Sequence, residues 1–390
     1  MSRRSIFNKV GIAVIAAALI APVSTTQAHA ATGDINIGLI TATSGALKSY
    51  GDAYVDAFNW GLNYYTGGKM AINGHKLVVT QKDDAGDATT ATAQFKDMVG
   101  NGTKIVVGTA SSGVALTLAP LAAQNKVLYI SGPAKNDAVT SGTNKYVFRS
   151  GNDSTQDLVP LKGISGVRGK TVTLFVEDNA FGLGNIAAAK AILGSKGAKF
   201  AEVKVPTSTS DFTPFAKQAN DAKGAYVFIA WSNALTAGAM LTSLKVQGVL
   251  NKSIPITGLA GAATYDIYGT LFEGTNAILT NSYFAGASSS RAALDLAASF
   301  AKSGKTQDLF TCTGADAAKM VVAALTGNTD VNVDTAISKL ENLKWLGVKG
   351  PMAVNPSNHS LTQDMFLVAL NKSGAHYVPS LLKTVHSVQG

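Results

Sequence analysis

The sequence predicts an α/β protein of two lobes, each a doubly wound, mostly parallel sheet flanked by helices. Three observations carry that reading. Short β-rich runs such as Ile105–Val107 and Val127–Ile130 are too short for helices and too continuous for half-exposed strands, so they read as buried parallel strands. Each ends in a loop of glycine and hydroxyl residues, Thr109–Gly113 and Ser131–Asn136, with the helically spaced Val114, Leu118, Leu121 and Ala122 between them. Such strand–helix series occur twice in a chain of 390 residues, more than one hydrophobic core comfortably holds.

The first 30 residues read as a secretory signal peptide outside the fold. Arg3, Arg4 and Lys9 form a basic start, Val10–Ala21 is an apolar run of 12, and Ala28-His29-Ala30 is a small-residue cleavage site. That run is shorter than the roughly 20 apolar residues of a membrane span. Ser2-Arg3-Arg4 also fits a twin-arginine signal, although the ordinary secretory reading is preferred, and no cysteine near the cleavage site offers a lipid anchor.

Asp34–Ile40 is the first expected strand, followed by a Gly/Ser loop, Thr41–Tyr50. A helix from Asp52 presents Tyr54, Phe58, Leu62 and Tyr65 and ends at Gly67-Gly68; Leu77–Thr80 and a helix over Ala88–Val99 complete the approach to Ile105. After Tyr146–Arg149 the second series has strands at Thr171–Val176, Ala201–Val205, Ala225–Ala230, Ile254–Gly258 and Ala277–Thr280. Helices are expected between them at Asn185–Leu193, Pro214–Ala222, Ala234–Val246 and Ala263–Leu271, with Thr213-Pro214 as a helix start. Three more helical stretches, Ser290–Lys302, Ala315–Leu325 and Val333–Leu343, precede a tail with one convincing strand, Met365–Leu370.

Without Arg3, Arg4 and Lys9 the chain has 30 basic against 24 acidic residues, thinly spread and without the aromatic interleaving of a nucleic-acid surface. Cys312 is the only cysteine, so no intrachain disulfide forms, and it reads as a buried small residue. Gly182-Leu183-Gly184-Asn185-Ile186-Ala187 fits a dinucleotide pattern, but Glu177–Phe181 separates it from its strand, where that turn needs the first glycine directly. Gly169-Lys170-Thr171 and Gly304-Lys305-Thr306 lack the earlier glycine of a P-loop. The histidines share no metal-ligand spacing, and Asp83-Asp84 reads as strand-end solvation or capping. No nucleophile–base pair suggests itself. The expectation is a protein without enzymatic activity, metal or cofactor.

A binding site is legible instead. Both loops of the Lys104–Thr140 stretch fall at one sheet edge, where α/β sheets bind ligands. Ser111 and Ser112 open a helix there and present hydroxyls and free N–H groups to a small anion. Tyr50, Phe181 and Trp231 lie at or near the ends of expected strands; each alone reads as core, but together they read as aromatic walls of a cleft.

The chain resembles the type I periplasmic binding proteins of ABC importers, in the leucine/isoleucine/valine-binding branch. The resemblance spans nearly everything after the leader and rests on DINIGLITATSGALKSYGDA, LVVTQKDDAGD, KIVVGTASSG, ISGPAKNDAVT, YVFRSGNDS, VTLFVEDNAFGLG and SDFTPFAKQ in this order. It implies two α/β lobes joined by three crossings, a ligand clamped by hinge motion, and delivery to a membrane permease. On that fold residues 33–151 and 282–349 form lobe 1, and 152–281 and 350–390 form lobe 2. The carboxylate site implied falls on Ser112 with Ser111, and on Pro133, Ala134 and Lys135; the aromatic positions match Tyr50, Phe181 and Trp231.

Two departures shape the expected ligand. The acid that pairs with an amino-acid ammonium in this branch is replaced by Ala260, and a small hydroxyl residue by Lys135. Lys135 reads either as an anion partner or as a solvated lysine at the cleft rim. A disulfide frequent in the branch, between the loops of Gly86 and Ser111, has neither cysteine here. The expectation is a periplasmic, monomeric binder of a small aromatic or apolar carboxylate without an amino group, partnered by ABC permease subunits, with no nucleic acid and no embedding in the membrane. The alternatives are an aliphatic amino-acid binder with Asp178 as the missing acid, or an extracellular sensor feeding a receptor.

Overall fold

The computed structural model describes residues 33–140, 144–258 and 261–390; the expected signal peptide and Ala260 lie outside them. The chain opens with β1 (Ile35–Thr41), α1 (Lys48–Tyr65), β2 (Ala71–Ile72), β3 (His75–Asp83), α2 (Ala88–Gly100), β4 (Ile105–Gly108), α3 (Ser112–Asn125), β5 (Leu128–Ser131) and β6 (Val147–Arg149). These strands form one sheet in the order β2-β3-β1-β4-β5-β6, parallel except for the β2–β3 pair. The continuous apolar runs are explained by helices covering both faces, as a parallel sheet requires. Ile37, Leu39, Ile105 and Val107 pack toward α1 on one face, and Ile40, Val106 and Tyr129 toward α2 and α3 on the other.

The second series runs α4 (Ser154–Leu158), β7 (Thr171–Glu177), α5 (Ala180–Gly194), β8 (Lys199–Val205), α6 (Thr213–Asp221), β9 (Tyr226–Ala230), α7 (Ala237–Val246), α8 (Val249–Lys252), β10 (Ile254–Gly258), α9 (Tyr265–Phe272) and β11 (Ile278–Asn281). Then come α10 (Arg291–Lys302), α11 (Thr311–Leu325), α12 (Val333–Glu341), β12 (Lys344–Gly347), β13 (Gly350–Val354), β14 (Leu361–Ser373) and β15 (His376–Gln389). The second sheet has the order β12-β13-β14-β11-β10-β9-β7-β8, with β15 paired to β14. Its β7 to β11 are parallel, and the tail strands add antiparallel.

Chain order and packing part company after β11. Helices α11 and α12 supply Ala317, Met320, Val321 and Ile337 to the core under α1, in the first lobe. Met352 and Val354 of β13 join that same core although β13 is hydrogen-bonded to β14 of the second sheet. The tail therefore holds four strands where the sequence shows one. Strands β12 and β13 are four and five residues long, and β15 is half-exposed with Pro379 in it, so none has a continuous apolar run. Other differences are local. Helix α1 starts at Lys48 rather than Asp52, because Gly51 lets its first turn lie against the end of β1: a Cβ there would stand 1.7 Å from the Ala42 carbonyl oxygen. Thr213 lies inside α6, and Phe212 precedes it.

Where the lobes join, buried polar groups are linked in a chain. Lys349 Nζ donates to Gln363 Oε1 at 2.7 Å, and Gln363 Nε2 to Gln156 Oε1 at 3.0 Å. Gln156 Nε2 donates to the carbonyls of Leu361 and Val388 at 2.6 and 2.8 Å. Asp316, fully buried on α11, accepts from Trp345 Nε1 at 2.9 Å through one oxygen, while its other oxygen has no partner among the described residues.

Burial pushes the Asp316 carboxyl up to about 7, from an ordinary carboxyl value of about 4. A folded-state value raised this way contributes stability that is full below about pH 4 and lost as pH rises toward about 7. Asp316→Asn stays neutral and keeps an acceptor for Trp345. Its melting temperature relative to the wild type is expected to rise by several degrees between pH 4 and pH 7. Calorimetric scans of both proteins check this, and a difference that stays flat or falls contradicts it.

Candidate functional site

The two sheets meet across a cavity of about 160 Å³ at the C-terminal ends of their parallel strands. That is the volume class of an engineered cavity of about 150 Å³ that holds benzene. One side is made by α1 and by the loops after β4 and β5. The other is made by α5 and the ends of β9, β10 and β11, and Leu309 and Phe310, just before α11, close it.

The first side is built on α3. Ser111 is its N-cap, with a side-chain oxygen accepting from Val114 N at 3.4 Å, and the N–H groups of Ser112 and Gly113 have no acceptor within the helix. Ser112 Oγ accepts from the backbone N–H of Lys135 and of Asn136, both at 3.2 Å. With its lone pairs so used, its O–H is left to donate. Beneath this loop the fully buried Arg149 donates to the carbonyls of Ala134 and Asn136 at 2.6 and 2.7 Å and to Thr140 Oγ1 at 3.2 Å. The loop is thus held from both sides.

Lys135 lines the cavity, but not as an isolated charge. Its Nζ stands 2.6 Å from Asp157 Oδ2, both side chains are 9% exposed, and Asn152 Nδ2 donates to Asp157 Oδ1 at 2.7 Å. The Lys135 ammonium also lies 5.7 Å from the centre of the Phe310 ring. The pair contributes no net charge, so what the first side offers is donors: N–H groups, a hydroxyl and an ammonium.

The walls are aromatic. Tyr50 meets Phe310 edge to face at 5.2 Å between centroids and is packed among residues of the second lobe. Trp231 lines the cavity and is also core: it packs on Phe175 and Phe212, and its Nε1 donates to Thr236 Oγ1 at 3.1 Å. Phe181, half-buried in the first turn of α5, completes them. Asn136 Nδ2 bridges the lobes by donating to Ala180 O at 2.6 Å.

Of the residues singled out from the sequence, Tyr50, Ser111, Ser112, Pro133, Lys135, Phe181 and Trp231 line this cavity. Ala134 is fully buried beside it without lining it. Asp178 is exposed and does not line it, although its neighbour Asn179 does, so Asp178 is not placed to pair with a ligand ammonium. The glycine pattern at Gly182 has a packing cause, since a Cβ there would stand 1.8 Å from Glu177 O. Asp83 and Asp84 tie turns: Asp83 Oδ1 accepts from Thr43 N at 2.8 Å, and Asp84 accepts from Gly86 N and the Thr109 hydroxyl. Burial pushes the Cys312 thiol up to about 11, which suits a packed residue rather than a nucleophile. No group of metal-ligating side chains occurs among the described residues. Missed from the sequence were Asp157, Phe310 and Thr280. Phe310 stands in an unpatterned segment, and Asp157 lies on α4, a helix of five residues too short to give a pattern.

The chain matches the family described as periplasmic binding protein over residues 34–375. It is 27% identical over 255 residues to Leu/Ile/Val-binding protein homolog 3 of Brucella melitensis biotype 1, a match spanning 64% of this chain and 68% of that one. The structure of an ABC-type branched-chain amino acid transporter from Rhodopseudomonas palustris CGA009 is similar with a TM-score of 0.75 and 27% identity, over 91% of this chain and 97% of that one. A solute-binding protein of an ABC transporter from Rhodopseudomonas palustris BisB5, in complex with 3,4-dihydroxy benzoic acid, is similar in fold with a TM-score of 0.79 at 22% identity, over 92% and 98% of the two chains. No helix among the described residues is long and apolar enough to cross a membrane.

Ser112→Ala orphans two buried N–H groups at once, so it is expected to cost about 1–3 kcal/mol of stability without any ligand. Ser111→Ala removes only a long cap bond and costs about 1 kcal/mol or less. Urea titrations of the ligand-free proteins check the order; equal losses contradict it.

Proposed function

The chain belongs to the periplasmic binding protein family, as a type I solute-binding protein of an ABC transporter, and from that premise we propose that its ligand is a small carboxylate with an aromatic or apolar body and no amino group. The observation that carries this reading is the state of Ser112. Its oxygen already takes two N–H groups, so its proton points to an acceptor on the ligand, beside the unpaired N–H groups at the start of α3. The only acid that lines the cavity among the described residues is Asp157, and Lys135 already pairs with it. A ligand ammonium finds no free counter-charge there.

On this reading Ser111, Ser112, Pro133 and Lys135 receive the carboxylate, with Ala134 held by Arg149 as the support of that loop. Tyr50, Phe181 and Trp231 wall the ligand body, and Ala260 leaves the ammonium position of amino-acid binders without an acid. The aromatic acid bound by the Rhodopseudomonas palustris BisB5 protein is in keeping with this, as is a cavity of one-ring size. The lobes, 33–151 with 282–349 and 152–281 with 350–390, close as two bodies about their crossings. The leader is removed near Ala30, and the protein works in the periplasm as a monomer that hands its ligand to permease subunits.

Calorimetric titration with 3-phenylpropanoate and with phenylalanine, which differ by the amino group, tests the ligand class. The acid is expected to bind about a hundredfold more tightly or better, since an unpaired buried ammonium costs several kcal/mol. Tighter binding of the amino acid overturns the reading.

A further inference from the structure

We propose that the ligand carries, besides its carboxylate, a neutral hydroxyl substituent, and that Thr280 at the end of β11 is the residue that reads it. This rests on the carboxylate reading and narrows it. Thr280 lines the cavity and is fully buried, and its Oγ1 has no hydrogen-bond partner among the described residues. A buried hydroxyl without a partner is destabilising, so its place in a ligand cavity points to a ligand group that completes it.

Its neighbours make the assignment specific. Thr257 on the adjacent β10 also lines the cavity, but its one hydroxyl proton is shared between the carbonyls of Ile229 and Gly258 at 2.9 and 3.1 Å, so it can only accept from a ligand. The strands otherwise contribute Phe228, Ile229, Ala230 and Gly258, none with a polar side chain, and the other polar groups of this side have partners: Asn179 caps α5, Asn185 Nδ2 donates to Phe181 O, Trp231 Nε1 to Thr236 Oγ1 and Ser232 Oγ to Glu177. Gly258 leaves the approach open, since a Cβ there would lie 3.7 Å from Thr280 Oγ1. The one cation that lines the cavity among the described residues, Lys135, belongs to the opposite lobe and is paired with Asp157. A second carboxylate beside Thr280 therefore meets no counter-charge, whereas a hydroxyl both gives and accepts a proton there. The ligand is anchored at two ends, by the α3 loop in one lobe and by Thr280 in the other.

Titrating the processed chain with benzoate, 3-hydroxybenzoate and 4-hydroxybenzoate tests this. At least one hydroxybenzoate is expected to bind about tenfold more tightly than benzoate. Thr280→Val keeps the shape and removes the hydroxyl; it is expected to abolish that preference while binding benzoate at least as well as the wild type. Thr280→Ser retains the preference. Binding of benzoate with no preference among the three acids overturns this inference and leaves the carboxylate reading standing, as does a preference that Thr280→Val leaves unchanged. If none of the three acids binds, the carboxylate reading falls and takes this one with it.

Discussion

A guanidinium buried completely must find acceptors, and Arg149 finds them in the backbone of the loop that follows β5. No ion pair holds it among the described residues. Its bond to Ala134 O turns the N–H of Lys135, in the same peptide plane, the other way onto Ser112 Oγ, and the N–H of Asn136, opposite the Lys135 carbonyl that Ser154 holds, reaches the same oxygen. Further polar groups of the loop are also taken. Ala134 N donates to Thr109 O at 3.1 Å, and Lys135 O accepts from Ser154 N at 2.7 Å and Ser154 Oγ at 3.0 Å. Asp137 accepts from the N–H groups of Ser154 and Thr155 at the start of α4. One short loop is thus fixed to β6 below, α3 beside it and α4 ahead of it.

That fixation sets the character of the cavity. The Lys135–Asp157 pair joins the loop to α4, so a lysine that the sequence offers as an anion partner or a solvated rim charge is part of the frame. Such a pair gains from its own attraction only in part, because both groups lose water, and Asn152 helps by satisfying the second Asp157 oxygen. What remains for a ligand is donor-rich and close to neutral in charge. The same loop reaches the second lobe through the Asn136–Ala180 hydrogen bond, which ties its donor groups to that lobe. The loops after β3 and β4, without cysteines, are joined by the buried Asp84–Thr109 hydrogen bond.

Parallel strands buried on both faces announce themselves by unbroken apolar runs, so β1, β4, β5, β7, β9 and β10 were legible together with the alternation that gives two doubly wound sheets. The tail was not: short β12 and β13 and half-exposed β15 derive their stability from partners far along the chain, which no local pattern records. The donor side was legible because capping serines and a strand-end loop lie close in sequence. Phe310 and Asp157 were not, since their roles depend on α11 returning to the first lobe and on a pairing that only the fold creates. Trp231 shows the limit of reading strand ends: it serves wall and core at once. The sequence reading starts the first helix at Asp52, whereas Gly51 permits it to start at Lys48.

The most direct test is an atomic-resolution structure of the protein with an aromatic carboxylate bound. The account predicts one carboxylate oxygen within hydrogen-bond distance of Ser112 Oγ and of the N–H groups that open α3, with the ring between Tyr50, Phe181 and Trp231 and the Lys135–Asp157 pair intact. A carboxylate seated against the second lobe, or one that binds by displacing Asp157 from Lys135, would contradict it.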